Sequence, residues 1–411
     1  MTIQTSLDGE LRARAAKVVP GGMYGHMNGA QLPSAYPQFF ARGDGPRLWD
    51  VDGNEYIDMM CSYGPIVLGH RHPSVEAAVA AQQAEGDCFS GPSARLVELA
   101  ELLVDTLPAA DWAMFCKNGT DATTLCLTIA RAATGRATVL AATGSYHGAA
   151  PWCTPNPTGT TPADRSNIGY FDYNDLASVE QAAQKADGDL AAIIVTPFRH
   201  DANHDQELID QAFARGLRDI CDRTGAALIL DDVRCGFRLD MGGSWEPIGV
   251  RPDLSAWSKA IANGYALAAV TGADALREAV TRVYTTGSFW FSSVSMAAAI
   301  ATITTLREID GPAVMERAGR RLRDGLAAQA TTHGLRINQT GPAQIPFLSF
   351  ADDADREKAN LWTTECVRGG VILHPWHNWF LSAAHTDDDI DAALVVTDAA
   401  FAATRARFGT D

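Results

Sequence analysis

Apolar positions in the middle of the chain alternate between short continuous runs and helical spacing. Runs of five or six mostly apolar residues, each of the length of one buried strand, occupy positions 112–116, 137–142, 191–195 and 226–230. Helical patterns cover residues 120–133 and 210–224, and they stop at Gly135 and Gly225. Strands that alternate with helices in this way predict βαβ units, so we expect an α/β protein with a parallel sheet covered by helices.

Both ends of the chain follow a different pattern. The predicted elements after about residue 310 are a basic amphipathic helix (316–330), short alternating strands (within 337–350 and 369–376), an acidic turn (385–391) and a last helix. Near the N-terminus, the sequence predicts a hairpin around Asp52 and Gly53. We therefore expect residues 1–55 and 311–411 to form a smaller α+β domain, and residues 56–310 to form a large ligand-binding domain.

Composition and charge exclude several classes of protein. The 411 residues are 46% hydrophobic and 20% charged, which allows a substantial core. The chain has no apolar run of about 18 residues, and its N-terminus lacks the order of a signal peptide, so we expect a soluble cytoplasmic protein. A net charge of −16 without a basic cluster argues against nucleic acid or an anionic membrane as a partner.

Neither the cysteines nor the histidines are spaced like metal ligands. The eight cysteines are scattered through apolar segments without a CxxC pair, which favours buried reduced thiols over disulfides or zinc. His200, His374 and His377 match no zinc spacing, and polar roles at the rim of a pocket are expected for them instead.

Two adjacent acids, Asp231 and Asp232, follow the apolar run at 226–230. A carboxylate at the end of a buried strand needs a partner, so one of the two is expected to face a positive or protonated group. In open parallel sheets, ligands bind beyond the carboxyl ends of the strands, and the other turns at this edge are candidates for the same site.

Two of those turns carry candidate ligand-binding residues. After 112–116, Gly119 allows a close backbone approach and Thr120 begins a helix whose free N–H groups suit one phosphate, although a plain helix cap would use the same residues. After 137–142, Tyr146 and His147 offer rings for stacking on a flat ligand, or for simple packing within the loop.

A lysine supplies the remaining chemistry. Lys259 lies in PDLSAWSKAIANG, among small and apolar residues, and is either a surface lysine or a desolvated one. A desolvated lysine has a lowered pKa, and only a neutral amine forms a Schiff base with an aldehyde. A lysine, an acid at a strand end, an aromatic ring and a phosphate cradle are the four parts that pyridoxal 5′-phosphate (PLP) requires.

Long motifs link the chain to a known family. The segment RLWDVDGNEYIDMMCSYGPIVLGHRHP resembles the N-terminal signature of the class III (fold type I) PLP-dependent aminotransferases, which include glutamate-1-semialdehyde aminomutase. FCKNGTDATTLCLTIARAATGR is similar to their SGTEA…ARAxTGR segment, and ALILDDVRCGFR to their LxxDEVxxGFR. VVPGGMYGH, TPFRH, TGSFWFSSVSMAAAI, QTGPAQIP and HPWHNWFLSAAHT resemble the fumonisin aminotransferase subgroup. The resemblance covers essentially the whole chain and implies a mostly parallel sheet of the seven-stranded type.

The resemblance assigns roles to individual residues. Lys259 would form the Schiff base with PLP, and Asp231 would face the pyridine nitrogen. The other implied contacts to the cofactor are Val233 below the ring, Tyr146 above it, Gly119 and Thr120 at the phosphate, and Ser288 from a neighbouring subunit. If Ser288 comes from a second copy, the site is complete only in a homodimer.

Departures from the class pattern bear on the substrate. Asn28 replaces an arginine that binds the substrate carboxylate in the aminomutase, His377 and Asn378 replace its gating acid, and Thr196 replaces a glutamate of the class. Trp290 and Phe291 are added at the expected site entrance, where they would either contact an apolar chain or seal the dimer interface. The substrate-binding residues that we expect are Tyr63, Arg199, Trp290 and Phe291, with Arg234 as a second candidate for the carboxylate of the acceptor.

The sequence thus predicts an aminotransferase that moves an amino group from a bulky or long-chain amine without an α-carboxylate to a keto acid such as pyruvate by a ping-pong mechanism. Two alternatives remain open. One is an aminomutase or epimerase that uses the same Lys259 without a separate acceptor, and the other is a PLP-binding protein without catalysis.

Overall fold

A computed structural model of the chain describes residues 6–202 and 204–410. The helices are α1 (Ser6–Val18), α2 (Pro73–Glu85), α3 (Arg95–Thr106), α4 (Gly119–Thr134), α5 (Leu176–Lys185), α6 (Gln211–Thr224), α7 (Arg277–Arg282), α8 (Ser293–Ile309), α9 (Gly311–His333), α10 (Glu357–Arg368) and α11 (Asp387–Phe408). The strands are β1 (Phe40–Asp44), β2 (Arg47–Asp50), β3 (Glu55–Asp58), β4 (Trp112–Cys116), β5 (Thr138–Ala142), β6 (Ile168–Phe171), β7 (Leu190–Val195), β8 (Phe198–Arg199), β9 (Glu207–Leu208), β10 (Ala227–Asp231), β11 (Leu254–Trp257), β12 (Ala268–Gly272), β13 (Ile337–Thr340), β14 (Phe347–Phe350) and β15 (Val371–Ile372).

The chain divides into two compact units. The terminal unit comprises Met1–His72, Ala202–Asp205 and Ala313–Asp411, and the central unit comprises Pro73–Asp201 and Gln206–Pro312. The domain boundaries expected from the sequence, after residues 55 and 310, stay a proposal.

The central unit is built on a seven-stranded sheet with the order β4-β12-β11-β10-β7-β5-β6. Strand β12 is antiparallel to both of its neighbours, and the other strand pairs are parallel. Strands β5, β7 and β10, predicted from their apolar runs, lie side by side. The predicted α/β fold with a mostly parallel sheet of the seven-stranded type is therefore confirmed.

Both faces of this sheet are buried, because alternate side chains of each strand point to opposite faces. On one face Ile229 of β10 packs in a cluster with Ile129 of α4. On the other face Leu228 and Leu230 pack in a second cluster with Phe213 of α6. The sheet thus lies between helical layers, and its loops at the carboxyl ends of the parallel strands are held on a rigid core.

The helices that flank β10 begin and end where local chemistry predicts. Asn118 and Asp121 form a reciprocal capping box at the start of α4, and the Asp210 side chain accepts the N–H groups of two residues at the start of α6. Gly135 and Gly225 end these helices with φ of +69° each, a left-handed conformation that glycine adopts without a steric penalty. The predicted stops are confirmed.

The terminal unit contains a four-stranded sheet with the order β1-β2-β3-β15 and a separate antiparallel pair of β13 and β14. The predicted hairpin joins β2 and β3, and Gly53 in its turn has φ of +86°. The predicted acidic turn is wrong in part, because Asp387, Asp388 and Asp389 already lie in the first turn of α11. Acids are stabilised there by the positive end of the helix dipole.

Candidate active site

Asp231 is the last residue of β10, and it is buried. Its Oδ1 accepts the backbone N–H of Val233 at 3.2 Å, and its Oδ2 lies 2.7 Å from Nδ1 of His147. The carboxylate that sequence analysis expected to need a partner is therefore fixed by two hydrogen bonds at the carboxyl edge of the central sheet.

Asp232 has a different environment. It is buried, its Oδ2 accepts the backbone N–H of Ser244 at 2.9 Å, and its Oδ1 contacts the Ser244 hydroxyl. Burial raises the pKa of the Asp232 carboxyl to about 7, against the hydrogen bonds from Ser244 that lower it. Asp232 thus ties the segment after β10 to a neighbouring loop, which is a structural role.

Lys259 begins a short 3-10 turn directly after β11, the sheet neighbour of β10. Its φ is +50°, a left-handed conformation that is uncommon for a residue with a side chain and is often found at functional sites. Burial lowers the pKa of its amine to about 7, with further lowering by the positive charges of Arg234 and Arg238 and an opposing effect of Asp231. A large share of the amine is therefore neutral near pH 7, as Schiff-base chemistry needs.

The start of α4 lies beside the segment that follows Asp231. A Cβ added to Gly119 would lie 2.8 Å from Cγ1 of Val233, so these two segments touch closely. Thr120 accepts the backbone N–H of Ala149 at its Oγ1, at 3.1 Å, which attaches the loop containing Tyr146 to the same helix end. The positive end of a long helix, a glycine at its first position and an adjacent hydroxyl suit a phosphate group.

Tyr146 precedes His147 in the loop after β5, and its side chain is 40% exposed. Lys259, Asp231, Val233, Gly119, Thr120 and Tyr146 thus all lie at or just beyond the carboxyl ends of β4, β5, β10 and β11. These are six of the predicted site residues.

The side chains present fit PLP. Asp231 is a fixed carboxylate for a protonated ring nitrogen, Lys259 is an amine with a lowered pKa for the aldehyde, and the glycine at the start of α4 leaves space that a Cβ would fill against Val233. For each polar group of the cofactor that the resemblance assigns to this unit, the matching position holds a residue of suitable chemistry.

Two arginines near this edge differ in their pairing. Arg199 is about one-third exposed, and its Nε binds Asp201 at 2.7 Å while a second nitrogen lies 3.9 Å from Glu207. Arg234 is 8% exposed, and its charge acts on both Lys259 and His200. Strand β10 ends at Asp231, so strand alternation does not determine the direction of the Arg234 side chain.

The segment before α8 carries three further predicted site residues. Ser288 is exposed and Phe291 is 40% exposed, whereas Trp290 packs partly buried against the same apolar cluster as Val233. Neighbouring Phe289 and Tyr284 are 62% and 90% exposed. In the single chain, this segment therefore presents an exposed aromatic surface.

Tyr63 belongs to the terminal unit. Its ring packs edge-on against His26, His374 and His377, with centroids 4.6, 6.1 and 5.2 Å away, and its hydroxyl donates to the carbonyl of His26 at 2.9 Å. Burial raises the pKa of Tyr63 to about 12 and lowers that of His374 to about 3. Tyr63 and His374 are therefore uncharged at neutral pH.

Two residues that depart from the class pattern, Asn28 and Thr196, form hydrogen bonds with residues close to them in the sequence. The Asn28 side chain accepts the N–H of Ala30 and donates to the carbonyl of Met23. Thr196 donates to the carbonyl of Phe198 at 2.9 Å.

Sequence reasoning missed two contributors to this site. His147 was expected only as a possible stacking ring, but it binds Asp231 directly. Arg238 is fully buried and acts on the charge of Lys259. No spacing rule predicts either contact, because both arise where irregular loops meet after the strands have ended.

The described residues also bear on metals, thiols and membranes. Among residues 6–202 and 204–410, no group of three or more His, Cys, Asp or Glu side chains is arranged to hold a metal ion. All eight cysteines are free thiols, of which only Cys88 is exposed and Cys153 partly so. None of the described helices combines the length and apolar character needed to cross a membrane.

Comparison with known proteins identifies the family. The model of the family described as aminotransferase class-III matches residues 30–385. The aminopentol aminotransferase of Sphingopyxis macrogoltabida is 50% identical over 401 residues, which are 98% of this chain and 95% of that protein. A glutamate-1-semialdehyde 2,1-aminomutase of Desulfatibacillum aliphaticivorans is 34% identical over 94% of this chain and 96% of its own.

A solved structure agrees with these matches. The FumI protein of Sphingopyxis sp. MTA144, in its PLP internal aldimine form, superposes with a TM-score of 0.97 at 50% identity, over 98% of this chain and 97% of that one. The predicted family, activity class and cofactor are confirmed: the chain belongs to the class-III aminotransferases, PLP-dependent enzymes of fold type I.

Proposed function

We propose that the protein transfers an amino group from a long-chain or bulky amine without an α-carboxylate to a keto acid such as pyruvate. The observation that carries this proposal is 50% identity, over nearly the whole chain, to an aminopentol aminotransferase. An aminopentol is by its name an amine that bears five hydroxyl groups. The ping-pong order follows because the donor must leave its amino group on the enzyme before the acceptor collects it.

The region around Asn28 supports a donor without an α-carboxylate. The resemblance puts Asn28 where the aminomutase uses an arginine, and its neutral side chain is bound to its own backbone neighbours. Tyr63 and His374 add neutral polar groups rather than cations. Removing a cation from a carboxylate site leaves a carboxylate without its strongest partner and favours a donor that lacks one.

The residues of the central unit divide the reaction between them. PLP, when bound, stabilises the negative charge that develops at the carbon next to the amino group. Lys259, with an amine pKa of about 7, can both remove a proton there and return one near neutral pH. We propose that Asp231 keeps the ring nitrogen protonated, that Gly119 and Thr120 hold the phosphate, and that Tyr146 and Val233 enclose the ring.

The acceptor carboxylate needs a cation, and two arginines compete for this role. Arg199, the first candidate from the sequence, already pairs with Asp201 and lies near Glu207. Arg234 is more buried, and its positive charge lowers the pKa of Lys259. Replacing each by glutamine and measuring the KM for pyruvate decides between them. Loss of the arginine that binds the carboxylate should raise this KM about tenfold or more.

We further propose a homodimer in which Ser288 and the aromatic residues Trp290 and Phe291 take part in the site of the other copy. The exposed rings of Tyr284, Phe289 and Phe291 support an interface at this segment, since exposed apolar surface of this kind marks contact sites. A cytoplasmic location stays a prediction, which the eight free cysteines support.

A panel of amines tests the proposal. The PLP-loaded protein is incubated with pyruvate and an aminopentol, an unsubstituted long-chain amine, or an amino acid, and the alanine formed is measured. We expect alanine from the first two and little from the amino acid. Lys259→Ala should abolish alanine formation and the absorbance of the lysine imine, whereas Lys185→Ala, at an exposed position of α5, should change neither.

The alternatives give different results in the same assay. An aminomutase or epimerase would rearrange its substrate without consuming pyruvate, and a PLP-binding protein without catalysis would show the imine absorbance but no turnover. Alanine formation by Lys259→Ala at the rate of the unmodified enzyme would contradict the proposed role of this residue.

A further inference from the structure

The side chain of His147 is hydrogen-bonded to the side chain of Asp231. The His147 Nδ1 atom lies 2.7 Å from Oδ2 of Asp231, and the two side chains are 1% and 6% exposed. Asp231 already receives the N–H of Val233 on its other oxygen. One oxygen is therefore set by the backbone, whereas the other is oriented by an imidazole from a different loop.

The backbone and the ring of His147 are both held in place by neighbouring groups. Thr123 of α4 donates to the backbone carbonyl of His147 at 2.7 Å. A Cβ on the next residue, Gly148, would lie 2.5 Å from Oγ1 of Thr120, so this loop packs closely on the helix. Trp152 lies nearly parallel to the imidazole, with centroids 6.2 Å apart and an interplanar angle of 16°, and donates from Nε1 to Thr124 at 3.0 Å.

The second nitrogen of the ring fixes the direction of the hydrogen bond. His147 Nε2 is buried without a hydrogen-bond partner among the described residues. A proton on Nε2 would be a buried donor without an acceptor, and it would leave a lone pair of Nδ1 facing a carboxylate. The proton therefore belongs on Nδ1, from which it is donated to Asp231.

We propose that His147 is a positioning residue, which orients the Asp231 carboxylate toward the ring nitrogen of PLP and thereby tunes the electronic state of the Lys259 imine. A single backbone hydrogen bond leaves a carboxylate free to rotate, whereas a second hydrogen bond in a dry environment fixes its plane. The inference rests on the family assignment and the cofactor, and it does not depend on which amine is the donor.

The effect has a defined sign. A protonated ring nitrogen withdraws electrons from the imine and disfavours protonation of the imine nitrogen. When Asp231 holds the ring proton less firmly, the imine should take up its proton more readily, and the pH midpoint of the imine absorbance should rise.

The test compares three variants of the PLP-loaded protein. His147→Phe keeps a flat ring next to Trp152 but removes the donor, and His147→Asn retains an amide donor close to the position of Nδ1. His333→Leu breaks a second His–Asp pair, between His333 and Asp398 at 2.9 Å in the terminal unit, and is the matched control. Each variant is titrated by absorbance between acid and alkaline pH, the rate of PLP dissociation is measured, and thermal unfolding records any loss of stability.

We expect His147→Phe to raise the imine midpoint by about half a pH unit or more, a change of about threefold in proton affinity. PLP should dissociate about tenfold faster, the effect expected for one lost charge-assisted hydrogen bond. His147→Asn should restore most of both values, and His333→Leu should change neither.

Two results would overturn the proposal. One is a midpoint and dissociation rate of His147→Phe equal to those of the unmodified protein, and the other is a midpoint of His147→Asn shifted as far as that of His147→Phe. If His147→Phe does not fold, His147→Ala with and without added imidazole replaces it. Imidazole should then lower the raised midpoint, and a midpoint insensitive to imidazole counts against the role of the hydrogen bond.

Discussion

The ionisation of Lys259 is set by burial first and by neighbouring cations second. An amine with a pKa of about 7 is mainly neutral at pH 8, whereas an ordinary lysine with a pKa of about 10.4 is almost entirely charged there. Since only the neutral amine attacks an aldehyde, the state of this side chain limits cofactor loading at neutral pH.

Loading of the cofactor-free protein with PLP should therefore depend on pH with a midpoint near 7. The rate of imine formation, followed by absorbance, should rise up to about pH 7 to 8 and then level off. Arg234→Gln removes a positive charge that disfavours the charged amine, so it should move the midpoint to higher pH. Arg218→Gln, which removes a cation paired with Asp253 in the same unit, should not. A rate that keeps rising to pH 10 in the unmodified protein would show that Lys259 is not desolvated.

Single site residues could be predicted where they lie next to a regular strand or within a family motif. Asp231 and Gly119 were predictable because each follows a strand that an apolar run reveals. Lys259 stood out instead as a lysine among small and apolar residues, and the family resemblance assigns a role to all three residues. The bond from His147 to Asp231 was not predictable, since it joins residues 84 positions apart through an irregular loop. Sequence spacing describes periodic elements and carries no information on how two loops meet.

Among the elements, the strands with continuous apolar runs were predicted and the others were missed. Strands β4, β5, β7 and β10 were predicted within one or two residues of their bounds. Strands β6, β11 and β12, which complete the sheet, were not predicted individually. Each is four or five residues long and contains a glycine or a serine, so none forms a continuous apolar run. The number of strands was predicted only through the family resemblance.

The start of α4 permits a prediction at the scale of an element. Gly119→Ala would place a Cβ 2.8 Å from Cγ1 of Val233, so the helix end and the segment after Asp231 must separate. Overpacking of this kind costs about 1–3 kcal/mol. If these segments enclose PLP, we expect its dissociation constant to rise about tenfold or more, as measured by equilibrium dialysis or absorbance titration.

The matched control for this change is another glycine inside a helix. Gly9 of α1 has no atom within 4 Å of an added Cβ, so Gly9→Ala should leave PLP affinity unchanged. An equal affinity of the Gly119→Ala protein and the unmodified protein would mean that the close contact to Val233 does not shape the cofactor site.

At the scale of the whole molecule, the sequence predicts a site shared between two copies, and the structure of a single chain does not contain such a site. Ser288 is exposed within a stretch of exposed aromatic rings. Only the resemblance to the family assigns it to a phosphate, and it does so in a second copy. The proposal of a shared site therefore needs a test in which cis and trans contributions differ.

Mixed dimers supply that test. Lys259→Ala and Ser288→Ala chains are prepared separately, each with a distinct tag, and dimers that contain one of each are purified. If Ser288 acts in the other copy's site, the site on the Lys259→Ala chain carries both substitutions. The site on the Ser288→Ala chain then has its own Lys259 and an intact Ser288 from the other chain. The mixed dimer should then have about half the activity of the unmodified enzyme, well above that of either parent. If Ser288 acts in its own chain, every site carries one lesion and the mixed dimer should be no more active than half of the Ser288→Ala parent.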